Sequence, residues 1–175
     1  VARPLHLFDQ MGWAFFGDED QRPTIQGMLR ALVCQLCVWH GPESVQVAII
    51  TDDAASWEWA KWLPHVRDRN LVDASGPARL IFGDVADFMV TFSENLLNRP
   101  AWSPRMDGGV SPDDWLVVVV DLPGANTSPI VGPSGHLGVS VLEATGDEVS
   151  PLATSATAFV LDATGNLLRA QKELT

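Results

Sequence analysis

Apolar residues along the chain follow two alternating patterns, short continuous runs and longer stretches with helical spacing. The runs at 45–50 and 115–121 are apolar at nearly every position, which is typical of strands buried on both faces of a parallel sheet. The other runs are shorter or alternate. Together they predict strands at 5–8, 11–16, 45–50, 79–82, 115–121, 137–142, 158–162 and 167–169, with a turn at Thr164-Gly165-Asn166.

Helical spacing appears in two long stretches. Residues 23–39 carry a wide apolar stripe, with Pro23 in the first turn and Gly41-Pro42 after the end. A second amphipathic helix follows Gly83-Asp84, and a short helix is expected within 52–65. The stretches 66–78, 103–114 and 122–134 are predicted loops. Strands alternating with helices, followed by a strand-rich tail, predict one three-layer α/β domain over residues 1–175.

The unit 11–40, a strand, a loop and a long helix, has the arrangement that holds a phosphate-binding loop in nucleotide-binding α/β proteins. That loop requires G-x-x-x-x-G-K-[ST]. Here it reads Gly17-Asp18-Glu19-Asp20-Gln21-Arg22, with three carboxylates and no lysine. Since the carboxylates repel a triphosphate, the sequence predicts the architecture of a nucleotide site without its chemistry.

A second element of such a site is an apolar strand that ends in a carboxylate, which helps to hold Mg²⁺. The run 115–121 ends in Asp121, but Leu122-Pro123 follows where working ATPases carry a second acid. Gly17, Arg22, Thr24 and Asp121 are therefore the candidate nucleotide-binding residues, with Thr24 near Mg²⁺ and Arg22 in place of the lysine. Loss of ATP and Mg²⁺ binding is the favoured interpretation, and no catalytic residue or metal ligand is assigned.

Three tryptophans, Trp57, Trp59 and Trp62, lie in the short helix. Trp59 and Trp62 are i,i+3 neighbours on one helical face, whereas Trp57 points elsewhere. One interpretation is core packing alone. The other is core packing plus an exposed tryptophan that anchors a partner, because aromatic side chains dominate interface energetics.

The composition excludes several classes of protein. A net charge of −11 argues against binding the nucleic-acid backbone. The sequence contains no run of 18 or more apolar residues, the length that would be needed to span a bilayer. Cys34 and Cys37, the only cysteines, lie far from a helix N-terminus and have no second Cys/His pair, so both are expected to be buried apolar residues and not a redox or zinc site. The chain starts without Met, which suggests a piece of a longer polypeptide.

Several segments of the chain form a recognisable set. They are Arg30-Ala31-Leu32, Gln35-Leu36, His40-Gly41-Pro42-Glu43, Trp57-Glu58-Trp59-Ala60-Lys61-Trp62-Leu63-Pro64-His65, Gly76-Pro77-Ala78-Arg79 and Asn98-Arg99-Pro100. In these segments the sequence resembles the EccC proteins of bacterial type VII secretion systems. The resemblance covers roughly residues 25–121 and is most specific in the W-x-W-x-x-W-L-P-H string. One departure is Ala60, where the family more often has Leu.

This resemblance implies a RecA/FtsK-like P-loop NTPase-type sheet with helices on both faces and a degenerate nucleotide site. It implies the first cytosolic domain, a domain of unknown function, of a membrane-anchored FtsK/SpoIIIE-type ATPase subunit. It further implies a position at the cytoplasmic face of the inner membrane. The expected partners are the ubiquitin-like cytosolic domain of EccD and the downstream ATPase domains of the same chain.

The resulting hypothesis is a coupling domain that links the membrane complex to the downstream motors during protein export. Two alternatives stay open. The domain could bind nucleotide weakly through loop 17–24 and Asp121, or it could act as an ATPase only in the intact assembly, with residues supplied in trans.

Overall fold

A seven-stranded sheet forms the centre of the computed structural model, which describes residues 5–104, 114–153 and 157–170. A separate two-stranded hairpin lies beside it. The sheet strands are β1 (Gly12–Phe16), β2 (Val45–Thr51), β5 (Ile81–Phe82), β6 (Trp115–Asp121), β7 (Val139–Glu143), β8 (Ala158–Leu161) and β9 (Leu167–Arg169), and the hairpin strands are β3 (Arg67–Asp73) and β4 (Gly76–Arg79).

The order across the sheet is β5-β2-β6-β7-β1-β8-β9. Within the described residues its pairs are parallel, except for the antiparallel pair of β8 and β9. Strand β7 therefore separates β1 from β6, although both belong to the nucleotide-site pattern. Parallel strands have their carboxyl ends at one edge, so the residues that follow β1, β2 and β6 lie at the same edge of the sheet.

Helices cover both faces of the sheet. They are α1 (Arg22–Trp39), α2 (Ala54–Trp57), α3 (Val85–Leu97) and α4 (Ser128–Val131), with short 3₁₀ helices at Leu7–Asp9, Glu19–Gln21, Glu58–Trp62 and Pro64–Val66. Asp121 contacts α1, whereas Glu143, paired beside Val120, contacts Thr127 at the start of α4. Since Val120 and Asp121 point to opposite faces, α1 and α4 lie on opposite sides of the sheet.

The core sits between these layers. The five consecutive residues 116–120 of β6 are fully buried, which explains why this part of the strand is apolar at every position. Helix α1 buries one stripe, Ile25, Leu29, Val33 and Leu36, at the spacing that its sequence predicted. The structure thus confirms the α/β class, and the parallel-dominated sheet is consistent with a RecA/FtsK-like nucleotide-binding fold.

The prediction of a strand at residues 5–8 is wrong. Residues 5 and 6 have no regular secondary structure, and the 3₁₀ turn Leu7–Asp9 follows them. The Leu7 carbonyl accepts hydrogen bonds from Ser140 Oγ at 2.7 Å and from Trp13 Nε1 at 3.3 Å. Because β7 and β8 already occupy both sides of β1, no edge beside β1 is open to another strand.

The predicted loop 66–78 is also wrong, because it forms the β3–β4 hairpin. Polar residues hide the strand signal, since most of β3 is exposed. Arg69 joins the hairpin to the segments that precede β2 and β6. Its guanidinium donates to Asp114 Oδ1 at 2.6 Å and to the Pro42 and Glu43 carbonyls. A two-stranded hairpin is marginal in isolation, so these contacts stabilise it.

Smaller corrections concern Cys34 and the two remaining loops. Cys34 is exposed, because it follows the buried Val33 by one helical position and so points away from the sheet, whereas Cys37 is half-buried. The predicted loop 122–134 contains the single turn α4. Most of the predicted loop 103–114 lies outside the described residues.

Candidate functional site

The candidate site lies at the carboxyl edge of the sheet, on the face that α1 covers. Four groups of residues meet there: the loop after β1, the first two turns of α1, the pair Asp52-Asp53 that follows β2, and Asp121 at the end of β6. The register places Thr51 of β2 beside Asp121, which brings the two strand ends level. This is the edge at which ligands bind in open α/β sheets.

Asp121 is completely buried. Its Oδ2 accepts hydrogen bonds from Gln26 Nε2 at 2.8 Å and from Trp57 Nε1 at 2.9 Å. Its Oδ1 has no hydrogen-bond partner, and the nearest cationic group is Arg22 Nη2 at 3.8 Å. The carboxylate that the sequence placed near Mg²⁺ therefore accepts hydrogen bonds from the protein's own side chains.

Arg22 lies between two carboxylates. Its Nη2 donates to Asp52 Oδ1 at 2.7 Å, a much closer contact than the one with Asp121, and its buried Nε has no partner. The side chain is partly exposed, so the ion pair with Asp52 contributes little to stability. Arg22 covers the buried carboxylate and links the start of α1 to the end of β2.

The loop after β1 is closed on itself. The Asp18 amide donates to Gln21 Oε1 at 2.9 Å, and the Gln21 amide donates to the Asp18 carbonyl at 2.9 Å. Pro23, in the first turn of α1, has no N–H to offer. A Cβ built on Gly17 would lie 2.8 Å from Ile25 Cδ1 and 2.9 Å from Gln21 Oε1, so side chains fill the space beside the glycine.

Asp53 connects the site to the tryptophan segment. It caps α2 by accepting from the Ser56 amide at 3.2 Å and from Ser56 Oγ at 2.6 Å. Gln26 Nε2 also reaches Asp53 Oδ2 at 3.4 Å. Hydrogen bonds from Ser56, first from the side chain and then from the backbone, hold the pKa of the Asp53 carboxyl below its usual value. Asp53 is thus ionised at neutral pH and fixes the helix that carries Trp57.

The three tryptophans have three different environments. Trp57 is fully buried against Asp121, and its ring stacks with that of the half-buried Trp59 at 6.1 Å between centroids. Trp62 is 70% exposed, with Lys61 over its ring and Glu58 paired to that lysine. The segment therefore combines core packing with one exposed aromatic side chain.

The structure brings together some of the candidate nucleotide-binding residues and not others. Arg22 and Asp121 lie near each other, and Gly17 opens the adjacent loop. Thr24 is exposed on α1. Sequence reasoning missed Gln26 and the pair Asp52-Asp53; the available signals were the i,i+4 spacing of Arg22 and Gln26 and the position of the two acids directly after an apolar strand.

A second buried carboxyl group lies on the opposite face of the sheet. Glu143 accepts from Thr127 Oγ1 at 2.5 Å through Oε2, and its Oε1 has no hydrogen-bond partner. Burial raises the pKa of this carboxyl, an effect opposed by hydrogen bonds from Ser150 and Thr127 and increased by nearby Asp147. Within the described ranges, no group of three His, Cys, Asp or Glu side chains is arranged to hold a metal ion.

Fold and site together define an α/β domain of the RecA/FtsK-like nucleotide-binding class. No protein-family model matches the chain. Curated relatives do match: EccC5 of the ESX-5 secretion system of Mycobacterium marinum is 32% identical over 157 residues, which is 89% of this chain and 11% of the relative. EccCa1 of the ESX-1 system of Mycobacterium tuberculosis is 36% identical over 118 residues, or 66% of this chain and 14% of the relative.

EccC4 of the ESX-4 system of Mycobacterium tuberculosis is 41% identical over a shorter stretch of 81 residues. The chain is an EccC-family domain. It spans about a tenth of the length of the EccC5 proteins that it matches. None of the helices in the described part of the chain is both long and apolar enough to cross a membrane.

Proposed function

We propose that this chain is an ATPase-like coupling domain of a type VII secretion motor subunit. Its relatives are components of ESX secretion systems, and its fold is of the nucleotide-binding class. In this proposal the domain transmits conformational change between the membrane complex and the ATPase domains further along the same protein during export. It lies at the cytoplasmic face of the inner membrane and does not itself hydrolyse ATP.

The observation that carries the proposal is that polar groups at the candidate nucleotide site bond to other groups of the same protein. The Asp18 and Gln21 amides bond within their own loop, and Pro23 has no amide proton. The carboxylate of Asp121 is buried beneath Arg22, Gln26 and Trp57. A triphosphate needs free backbone amides and a lysine, and Mg²⁺ needs an accessible carboxylate, so this arrangement favours a structural function.

The same contacts support a coupling function. Hydrogen bonds connect Gln26 on α1 to Asp121 on β6 and Asp121 to Trp57, whose segment ends in the exposed Trp62, and Arg22 adds an ion pair to Asp121 at 3.8 Å. A partner that binds Trp62 would pull on a segment whose other end is fixed to the centre of the sheet. The cytosolic domain of an EccD-like membrane subunit is the partner that we propose for this surface.

Calorimetric titration of the domain with ATP and Mg²⁺ tests the structural assignment. We expect no binding tighter than a Kd of about 100 µM, equivalent to about −5.5 kcal/mol. Tighter binding that depends on Mg²⁺ and is lost in Asp121→Asn would contradict it. The matched control is Asp162→Asn, which changes an exposed-loop carboxylate away from the site.

One observation favours a second candidate function, weak or regulatory nucleotide binding. Asp121 Oδ1 and Arg22 Nε are both buried without a hydrogen-bond partner, so this end of the site has unused donor and acceptor capacity. Displacement of Arg22 toward Asp52 would open Asp121, and a neighbouring subunit could then supply the missing cation in trans. Titrating the assembled secretion complex and its Asp121→Asn variant with ATP distinguishes this candidate from the first.

The partner surface has its own test. Pull-down with the cytosolic domain of the membrane-channel subunit should retain the wild-type domain and lose Trp62→Ala, because truncating an exposed aromatic anchor commonly costs more than 1 kcal/mol of binding. Trp39→Ala, which removes another exposed tryptophan, on α1, should bind normally. Unchanged binding of Trp62→Ala would refute the anchor.

A further inference from the structure

Two arginines lie opposite each other at the open end of the β3–β4 hairpin. Arg67 of β3 is paired directly with Arg79 of β4, so both side chains project from the same face of the hairpin. Directly opposed residues of an antiparallel pair have Cβ atoms only about 5 Å apart. Because like charges at such positions repel each other, the fold brings these two guanidinium groups together against an electrostatic cost.

Neither arginine has an anionic partner in the described part of the chain, although the protein contains 22 acidic residues. Arg22, Arg69 and Arg99 each form an ion pair with a carboxylate. By contrast, Nε of Arg67 and Nη1 of Arg79 are buried and have no hydrogen-bond acceptor. Buried N–H donors without an acceptor are costly, and the acceptor that suits a guanidinium group best is an oxyanion.

The two acids of the hairpin bond to its backbone and not to the arginines. Asp68 Oδ1 accepts hydrogen bonds from the Asn70 and Leu71 amides at 2.8 and 2.9 Å. Asp73 Oδ1 accepts from the Ser75 amide at 2.7 Å in the turn. Both carboxylates thus shape the hairpin itself, and the arginine pair stays open to an oxyanion from another molecule.

The backbone beneath the arginine pair is fixed to the central sheet. Gln46 Nε2 of β2 donates to the Arg67 carbonyl at 3.0 Å, and the Leu80 amide donates to the Val66 carbonyl at 3.0 Å. Val66 and Leu80, the neighbours of the two arginines along the chain, are buried in the core. Since side chains alternate along a strand, the arginines project from the other face. Their backbone is therefore positioned before any ligand arrives, which reduces the entropic cost of binding.

Exposed apolar positions continue from the arginines toward the turn. Val72 of β3 pairs with Pro77 of β4, and Pro77 lies two positions from Arg79, on the same face of the hairpin. Val72 is 67% exposed, and Pro77 is exposed as well. We call Arg67, Val72, Pro77 and Arg79 the hairpin face. A protein segment can cover the apolar positions while its carboxylate contacts the arginines, whereas a free phosphate contacts the arginines alone.

We infer that the hairpin face binds an acidic segment of a partner protein, with a carboxylate held between Arg67 and Arg79. Guanidinium and carboxylate groups form parallel N–H···O bonds that are stronger than bonds between neutral groups. The net charge of −11 repels an acidic partner at long range, but physiological salt screens this repulsion beyond about 8 Å, so the direct contact decides binding. The inference does not depend on the proposed coupling function.

NMR titration of the chain tests the hairpin face directly. The probe is a peptide of alternating glutamate and leucine, and its matched control carries glutamine in place of every glutamate. We expect the glutamate peptide to shift the guanidinium N–H resonances of Arg67 and Arg79, because their buried donors gain an acceptor. The glutamine peptide should leave these resonances unchanged.

Substitutions separate a specific site from general attraction between charges. Arg67→Gln and Arg79→Gln should each raise the dissociation constant of the glutamate peptide about tenfold or more, because charge-assisted hydrogen bonds are lost. Arg169→Gln is the matched control, since it removes the same charge from an exposed position on β9, and it should change the constant less than about twofold. The melting temperature of the free chain should not fall in Arg67→Gln or Arg79→Gln, because each relieves the repulsion between the two arginines.

Three results would overturn the inference. The first is guanidinium resonances that the glutamate peptide leaves in place at every concentration. The second is equal weakening of peptide binding by Arg169→Gln and Arg67→Gln, which would show that no specific pair is involved. The third is a shift of the same resonances by inorganic phosphate but not by the glutamate peptide, which would assign the arginines to a free anion and not to a protein segment.

Discussion

Asp121 functions inside this fold as a hydrogen-bond acceptor. Two donors from different elements, Gln26 Nε2 and Trp57 Nε1, converge on one of its oxygens, and the residue is fully buried. Buried donors without an acceptor are costly, so this carboxylate stabilises the contact between α1, the tryptophan segment and the sheet. Among the described residues, the cationic group that faces this carboxyl is Arg22, with Nη2 3.8 Å from Oδ1.

Two substitutions separate hydrogen bonding from charge at this position. Asp121→Asn keeps an oxygen for both donors, and we expect the free energy of unfolding to change by less than about 1 kcal/mol. Asp121→Ala leaves both donors buried and unpaired, and should cost about 2–3 kcal/mol. Urea unfolding monitored by tryptophan fluorescence measures both. Equal losses for Asn and Ala would show that the charge is what the fold requires, because both substitutions remove the charge and only Ala also removes the acceptor.

Glu143 is the other carboxyl group that is buried among the described residues, and its ionisation should make stability depend on pH. Burial raises its pKa in the folded protein above the ordinary glutamate value, so the folded state favours the protonated form. The stabilisation that this provides is fully present below the unfolded pKa. It is lost as pH rises through the folded pKa.

We therefore expect Glu143→Gln to stabilise the protein at neutral pH by about 1 kcal/mol, because glutamine stays neutral while it retains an acceptor for Thr127. The gain over wild type should shrink toward acid pH, where Glu143 is itself protonated. Unfolding free energies across this pH range provide the measurement. Glu148→Gln, at an exposed acid nearby, is the control and should show no such trend. A gain independent of pH would contradict this explanation.

Among the elements, β1 is tightly constrained by its neighbours. It lies between β7 and β8, and its first residue is Gly12. A Cβ built on Gly12 would lie 2.5 Å from the Val141 carbonyl oxygen and 2.7 Å from Leu152 Cδ1. The first of these atoms belongs to the backbone of the neighbouring strand, so it cannot move aside without disturbing the sheet.

Gly12→Ala should consequently destabilise the protein by about 2–3 kcal/mol through overpacking. Chemical unfolding measures the loss. Gly83→Ala is the matched control, because a Cβ there meets nothing within 4 Å, and we expect it to be near neutral. Equal stability of the two variants would mean that β1 and β7 separate more readily than their packing indicates.

Helices and strands were predicted correctly where the local pattern of apolar side chains alone determines the secondary structure. Helix α1 and strand β6 have strong periodicity or a continuous apolar run, and both formed at the expected positions. The prediction failed at Leu7–Asp9, where β7 and β8 had already taken the sides of β1, and at the β3–β4 hairpin, which Arg69 holds through distant partners. Neither cause can be detected in the local sequence.

For the whole molecule, the order of the strands determines the location of the site. The carboxyl ends of β1, β2 and β6 meet at one edge, although β7 separates β1 from β6. Helix α1 begins at this edge and brings Arg22 and Gln26 to Asp121. The nucleotide-binding class of the fold thus accounts for the position of the carboxylate, and the loop sequence accounts for the proposed loss of ligand binding.

The sequence by itself determined the α/β class, the strong helices and strands, and an acidic loop without lysine at the phosphate-binding position. These depend on periodicity and on residue type, which are local. Only the tertiary structure decided that Gln26 and Trp57 bind Asp121, because they are 95 and 64 residues away along the chain. It also decided that Trp57 is buried while Trp62 and Trp39 are exposed, since burial depends on which surfaces the sheet and helices bring into contact.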